Sequence, residues 1–247
     1  MKRLSALLLA AAAVFLGGCA TGRQARSVQP SGFLGDNKSL LKPGKEGEEL
    51  LVYRKPDVDW SSYKKILLEP VTIWGDTTWK KLSNDQYKDL QKLVDSFGTT
   101  LYQKLSKDYV MVDKPEADTL RIQVALTNGE TADVPLKVAT KAVPYGGAAG
   151  FLWTFITGKP PFVGEASIEF MVKNSQSGDL LAAGADRRVG ADTILAGESV
   201  NKDYLSSWGD LKYALDFWSD DVVYRLCVLR AGTDCVVPKK GLAVPTS

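Results

Sequence analysis

The chain has 247 residues, 45% hydrophobic and 24% charged, with 31 basic and 29 acidic side chains, three cysteines and no histidine. So balanced a charge offers no basic face for nucleic acid, and the missing histidine excludes Ser-His-Asp and Cys-His catalysis, histidine general bases and almost every catalytic zinc arrangement. Carboxylates, Lys, Tyr and Ser remain for chemistry, and without a phosphate loop, zinc spacing or nucleophile elbow no cofactor and no metal is expected.

Lys2 and Arg3 open the chain, an apolar run from Leu7 to Leu16 follows, and Gly17, Gly18 and Cys19 close it. The run is shorter than the roughly 20 residues that cross a bilayer, and a basic start, apolar stretch and small-residue exit fit a cleaved export signal over 1–18. Leu16-Gly17-Gly18-Cys19 resembles the bacterial lipobox, in which the cysteine is acylated at the thiol and at the new amino group. Several acyl chains hold a protein stably on a bilayer where one would not. Ala20, not aspartate, follows Cys19, which points to the periplasmic face of the outer membrane. Without residues 1–18 the 31 basic side chains lose Lys2 and Arg3, leaving 29 against 29 acidic ones.

Residues 19–30 have no apolar period and are expected to be the acylated cysteine with a flexible tether, reaching at most about 40 Å. Residues 31–49 alternate glycine turns with single apolar anchors and are expected to dock as irregular coil. An α+β domain should then occupy 50–232, and a C-terminal tail 233–247. Leu50–Tyr53 and Ile66–Leu68 read as strands, the latter broken by Pro70 before Val71 and Ile73. Ser83-Asn-Asp-Gln86 is a capping box, and Tyr87, Leu90, Val94, Phe97, Leu101 and Leu105 form the apolar stripe of the helix it starts.

Val110–Val112 reads as a short strand, and Leu120 to Leu126 alternate as in a sheet with one covered face. A second alternation from Ala166 to Val172, the polar turn Asn174–Asp179 and the run Leu180–Val189 predict a hairpin. A second helix should begin near Ser206 or Ser207, with Asp210 completing a cap. Its stripe is Leu211, Leu215, Trp218, Val222, Leu226 and Leu229, and Gly232 is the expected C-cap. The fold class that follows is α+β, a largely antiparallel sheet with two main helices packed on one face, in a single domain after the signal peptide and tether.

Cys227 and Cys235 lie in an oxidising compartment if the leader is exported and are expected to form a disulfide. Closing so short a loop contributes about 2–3 kcal/mol by the chain-entropy argument. From Tyr145 to Ile156 the chain carries no charge. Tyr145, Phe151, Trp153 and Phe155 crowd there as a candidate contact surface, for a lipid leaflet or a partner protein, unless they pack on the domain's own core. Trp74 and Trp79 flank Gly75–Thr78 and are candidates for sugar stacking. Asp186-Arg187-Arg188 in a strand places its two arginines on opposite faces, where a surface ion pair with Glu165 or Glu169 is expected. Glu69, Glu165 and Glu169 could supply a hydrolytic carboxylate pair.

Ser31-Gly-Phe-Leu34, Leu51-Val-Tyr53, Glu69-Pro70-Val71, Leu120-Arg-Ile122, Phe162 to Ser167, Asp186 to Gly190 and Ser207-Trp-Gly-Asp210 together resemble a bacterial lipoprotein family catalogued as domain of unknown function 3313. That likeness brings no activity and no catalytic residues. The element order is also similar to small domains of envelope-assembly lipoproteins, such as activators of cell-wall synthases and the curli secretion channel. The expected function is a non-enzymatic interaction module in envelope assembly or maintenance. It would be held in the outer membrane by its N-terminal lipid, with an envelope protein or peptidoglycan as partner, no nucleic acid, and homo-oligomerisation left open. Peptidoglycan or carbohydrate binding, and a carboxylate-dependent cell-wall hydrolase, are the alternatives.

Overall fold

A computed structural model describes residues 23–74, 84–127, 165–189 and 204–238. Within them the strands are β1 (Arg23–Gln24), β2 (Lys42–Pro43), β3 (Leu51–Arg54), β4 (Lys65–Leu68), β5 (Thr72–Trp74), β6 (Val110–Met111), β7 (Thr119–Thr127), β8 (Glu165–Asn174) and β9 (Leu180–Val189). Two long helices accompany them, α1 (Asn84–Leu105) and α2 (Tyr204–Leu229). The strands form one sheet in the order β2-β3-β9-β8-β7-β4-β6, with β1 beside β9 and β5 beside β7.

The fold is α+β, and the sheet is mixed. The pairs β7–β8, β8–β9, β9–β3, β3–β2 and β1–β9 are antiparallel. β4 and β5 are parallel to β7, and β6 is parallel to β4. The parallel part follows from the chain order: α1 is inserted between β5 and β6, and a strand that returns through a helical crossover comes back in its original direction.

One face of the sheet carries the main core. Ile66, Leu68, Ile122, Val124, Leu126, Ile168 and Val172 point at α1 and α2. The α1 stripe meets them as its periodicity requires, with Leu90, Val94, Phe97, Leu101 and Leu105 all buried. On α2, Leu211, Leu215, Trp218 and Leu226 are buried, while Val222 and Leu229 are partly buried and pack at its margin. Ser206 and Ser207 lie inside α2, so the expected helix start there is incorrect.

The opposite face is covered in part. Residues 23–49 wrap one edge of the sheet and cross this face, so the flexible tether expected through residue 30 ends by Arg23. Gln24 lies opposite Arg188 in β1–β9, and the Ala25 N–H continues the ladder to the Arg187 carbonyl at 2.8 Å. The docked segment is also more regular than the irregular coil expected over 31–49. Ser31 caps two 3₁₀ turns over Gly32–Leu40, merged across a kink at Gly35, and β2 pairs with β3. Leu34, 1% exposed, packs with Met171 and Ala183 beneath the turns. In β7 the expected alternation holds over Leu120–Val124, where Arg121 and Gln123 are half-buried beside Glu69, and gives way to full burial at Ala125 and Thr127.

Candidate functional site

Alternation along β9 sends Asp186 and Arg188 to the helix side, where Ala182 and Gly184 leave room for bulky residues of α2. A Cβ on Gly184 would come within 2.6 Å of the Phe170 ring. Trp218 Nε1 donates to Asp186 Oδ2 at 2.8 Å and Gln24 Nε2 to Oδ1 at 2.7 Å. The Arg188 guanidinium lies 3.6 Å from the centre of the Phe217 ring, a cation–π contact made under cover. Arg188 is therefore buried under α2, on the face of the sheet opposite Glu169, and Arg187 takes the other face, as the alternation requires.

One turn further along α2, Asp221 and Arg225 extend the cluster. Arg225 Nε is 3.4 Å from Asp221 and 3.8 Å from Glu49, and its Nη2 donates to the Gly47 carbonyl. Arg54 reaches Glu48 at 2.6 Å and Glu49 at 3.6 Å. Burial, reinforced by the Glu49 carboxylate, raises the Asp221 pKa to about 7 against the pull of Arg225. Burial also raises Glu49 and lowers Arg188. The cluster clasps residues 24–54 to α2 and can hold a proton near neutrality. Glu49, Arg54 and Arg225 are the polar lining of an otherwise apolar cavity of about 40 Å³. That is room for a few waters and not for an organic ligand.

On the strap side, Glu169 is fully buried, and its Oε1 accepts the Ser31 N–H at 2.5 Å. Burial raises its pKa, and hydrogen bonds from Ser31 and Leu34 pull the other way. Glu69 binds Arg121 and accepts from Gln123 Nε2 at 2.7 Å. Neither glutamate therefore stands in an open cleft as hydrolysis would need, and the Glu165 side chain lies outside the described residues. Trp74 is half-buried, and its ring makes a T-shaped contact with Phe33 of the strap, with centroids 5.7 Å apart.

The other end of the molecule is more open. Cys227 and Cys235 are disulfide-bonded, with Cα atoms 5.5 Å apart. Gly232 is not the left-handed cap residue; Ala231 is, at φ 57°, and the Gly232 N–H bonds the Cys227 carbonyl at 2.9 Å. Glycine is required at 232 by crowding, since a Cβ there would stand 2.7 Å from Cys227 Sγ. Around this closure sit the exposed valines Val228, Val236 and Val237. Arg230 joins them to exposed Val110, pairing with Asp108 at 2.9 Å over the Tyr109 ring. At the same end Lys55, Asp57, Asp59, Tyr63, Asn174 and Asp179 line an open polar depression of about 240 Å³.

Cys19, Trp79, Tyr145, Phe151, Trp153 and Phe155 lie outside the described residues, as does Ser83 of the capping box. Among the described residues no helix is long and apolar enough to cross a membrane, and no group of three or more His, Cys, Asp or Glu is placed to hold a metal. Sequence reasoning missed the Glu49–Asp221–Arg225 cluster. A signal existed in part: Asp221 follows Trp218 by three residues, so a charge stands in the apolar stripe of α2, which is costly without partners. Glu49, on a distant loop, carries no such signal.

A family model described as "Protein of unknown function (DUF3313)" matches residues 29–222. No curated protein matches the chain. Among solved structures, a DUF4136 family protein from Bacteroides thetaiotaomicron is similar at 12% identity, TM-score 0.33, covering 69% of this chain and 94% of its own. A PelC dodecamer from Paraburkholderia phytofirmans is similar at 10% identity, TM-score 0.26, covering 56% and 76% respectively.

Proposed function

We propose, for a chain that belongs to the DUF3313 family, that it is a lipid-anchored protein of the outer membrane, facing the periplasm and acting in the envelope by binding rather than by catalysis. The observation that carries the reading is Leu16-Gly17-Gly18-Cys19, at the close of an apolar run too short to span a bilayer. Acylation of Cys19 would supply the membrane hold. The binding half is supported by where polar groups are used: Asp186, Glu69 and Glu169 each accept hydrogen bonds within the body. Large apolar side chains are instead left outside at Val110, Val228, Val236 and Val237, a surface suited to a protein partner.

The test is metabolic labelling with palmitate followed by crosslinking in intact cells. Label should enter the wild type and be lost in Cys19→Ser, and the labelled protein should fractionate with the outer membrane. Replacing Val236 and Val237 together by serine should abolish crosslinks to the partner while the melting temperature stays within about 1–2 °C, as expected for exposed positions. An unlabelled wild-type protein with its leader uncut would refute the reading. Retention on purified peptidoglycan that vanishes in Trp79→Ala would move it to cell-wall binding.

A further inference from the structure

The strap decides how the molecule stands on a membrane. β1 runs antiparallel to β9, with Arg23 opposite Val189 and Gln24 opposite Arg188, so residues preceding Arg23 leave the sheet at the C-terminal end of β9. The register carries that level across the sheet: Glu165 lies opposite Val189, Thr127 opposite Ser167, and Trp74 opposite Thr127. One end of the sheet is thus formed by Arg23, Val189, Glu165, Thr127 and Trp74. The hairpin turn after Asn174, the disulfide and the exposed valines belong to the other.

We infer that this first end faces the phospholipid leaflet, with Arg23 held at its headgroups and the strands running away from it. The inference rests on Cys19 being the acylated residue. Only residues 20–22 separate it from Arg23, and four peptide steps reach at most about 14 Å. The strap cannot easily give up more slack, because Gln24 holds Asp186 and the Glu48 carbonyl, and Ser31 and Leu34 are buried. The headgroup layer of one leaflet is itself about 5–8 Å deep. The tethered edge therefore touches headgroups, while the Asn174–Asp179 turn stands roughly 30 Å higher, the length of a ten-residue strand.

Both long helices share this polarity. α1 follows β5, whose last residue lies at the lower level, and its C-terminal end leads to Val110, paired with Lys65 at the upper level. α2 follows β9 and ends where Arg230 meets Asp108. Both N-termini, with their partial positive charge, face the headgroups, an arrangement favourable toward anionic lipid.

The full-length acylated protein, purified from cells and reconstituted in phosphatidylethanolamine–phosphatidylglycerol vesicles with a spin-labelled headgroup, tests this. A fluorophore on Arg26→Cys, exposed near the strap's entry, should be quenched at least about threefold more than one on Ser177→Cys, exposed in the hairpin turn, given roughly 30 Å of strand between the levels. Inserting about twelve Gly/Ser residues after Gly22 should erase the difference, because that linker restores tens of ångströms of reach. Equal quenching at the two sites, or quenching at 26 that survives the insertion, overturns the inference. Mass spectrometry of the N-terminal peptide separates the failures: acyl mass present with flat quenching sinks the orientation alone, and acyl mass absent sinks both it and the lipid anchor.

Discussion

On the helix side of the sheet, α1 and α2 cover Ile66, Ile122, Val124 and Ile168 with apolar stripes, and the buried charges Asp186, Arg188, Glu49 and Asp221 gather at one corner. On the strap side, Leu34, Phe33 and Leu41 supply apolar cover, laid over polar or small residues such as Glu169, Ser167 and Ala183. The first is closed by long helices whose burial repeats every turn, the second by short 3₁₀ turns that depend on the Leu34 plug and on the hydrogen bond from Ser31 to Glu169. Stability should therefore be global on the helix side and local on the strap side, with different consequences for mutation.

The largest expected loss is on the helix side. Trp218→Ala removes a large buried ring and leaves Asp186 Oδ2 without its donor, so a destabilisation of about 5 kcal/mol is expected in urea unfolding, with every probe reporting one transition. A protein that instead loses only its strap would break the contrast between the faces.

Next comes the charged corner. Asp221 has an ordinary pKa of 3.8 and one of about 7 in the fold, so the folded state binds more protons than the unfolded chain between those values. Its contribution is most favourable below about pH 4, declines as pH rises through the window and levels off above 7, a change of up to about 4 kcal/mol. Glu49 and Glu169, also raised, act in the same sense. Subtracting the unfolding profile of Asp221→Asn from that of the wild type should isolate this decline; a difference that rises with pH would contradict the burial-driven shift.

On the strap side, Leu34→Ala should cost about 3 kcal/mol. Its signature is positional: hydrogen exchange should accelerate over residues 24–43 while the core of α1 keeps its protection. Uniform acceleration would show that the strap is part of the global unit. Cys235→Ser, at the far tip of the helix side, should cost about 2–3 kcal/mol, an effect reductant reproduces in the wild type and not in the variant. The smallest change is a gain. Ala231→Gly relieves a left-handed backbone at φ 57° and should stabilise by about 1 kcal/mol, read as a small rise in melting temperature.

The helix side was the legible one. Leu90, Val94, Phe97, Leu101 and Leu105 recur with the period of a helix and are all buried. The Asn174–Asp179 turn was equally plain from its polar residues between two strand-like runs, and Pro70 from the ladder bond it cannot make. Glu169 shows why the other side was not. Glu165, Ser167 and Glu169 at alternate positions look like a solvent face, because strand alternation says which side a residue takes and nothing about what a distant segment lays over it. The Asp186–Trp218 and Glu49–Arg225 contacts are hidden for the same reason, joining residues far apart in the chain.

What the sequence determined by itself is what local physics writes in neighbouring residues: two amphipathic helices, a hairpin, a strand break at proline and an α+β class. Only the tertiary structure decided that residues 23–49 become a strap, that the sheet is mixed, and that Asp221 holds its proton to about pH 7. Those properties arise from contacts between remote segments, whose energies depend on which groups exclude water from which others.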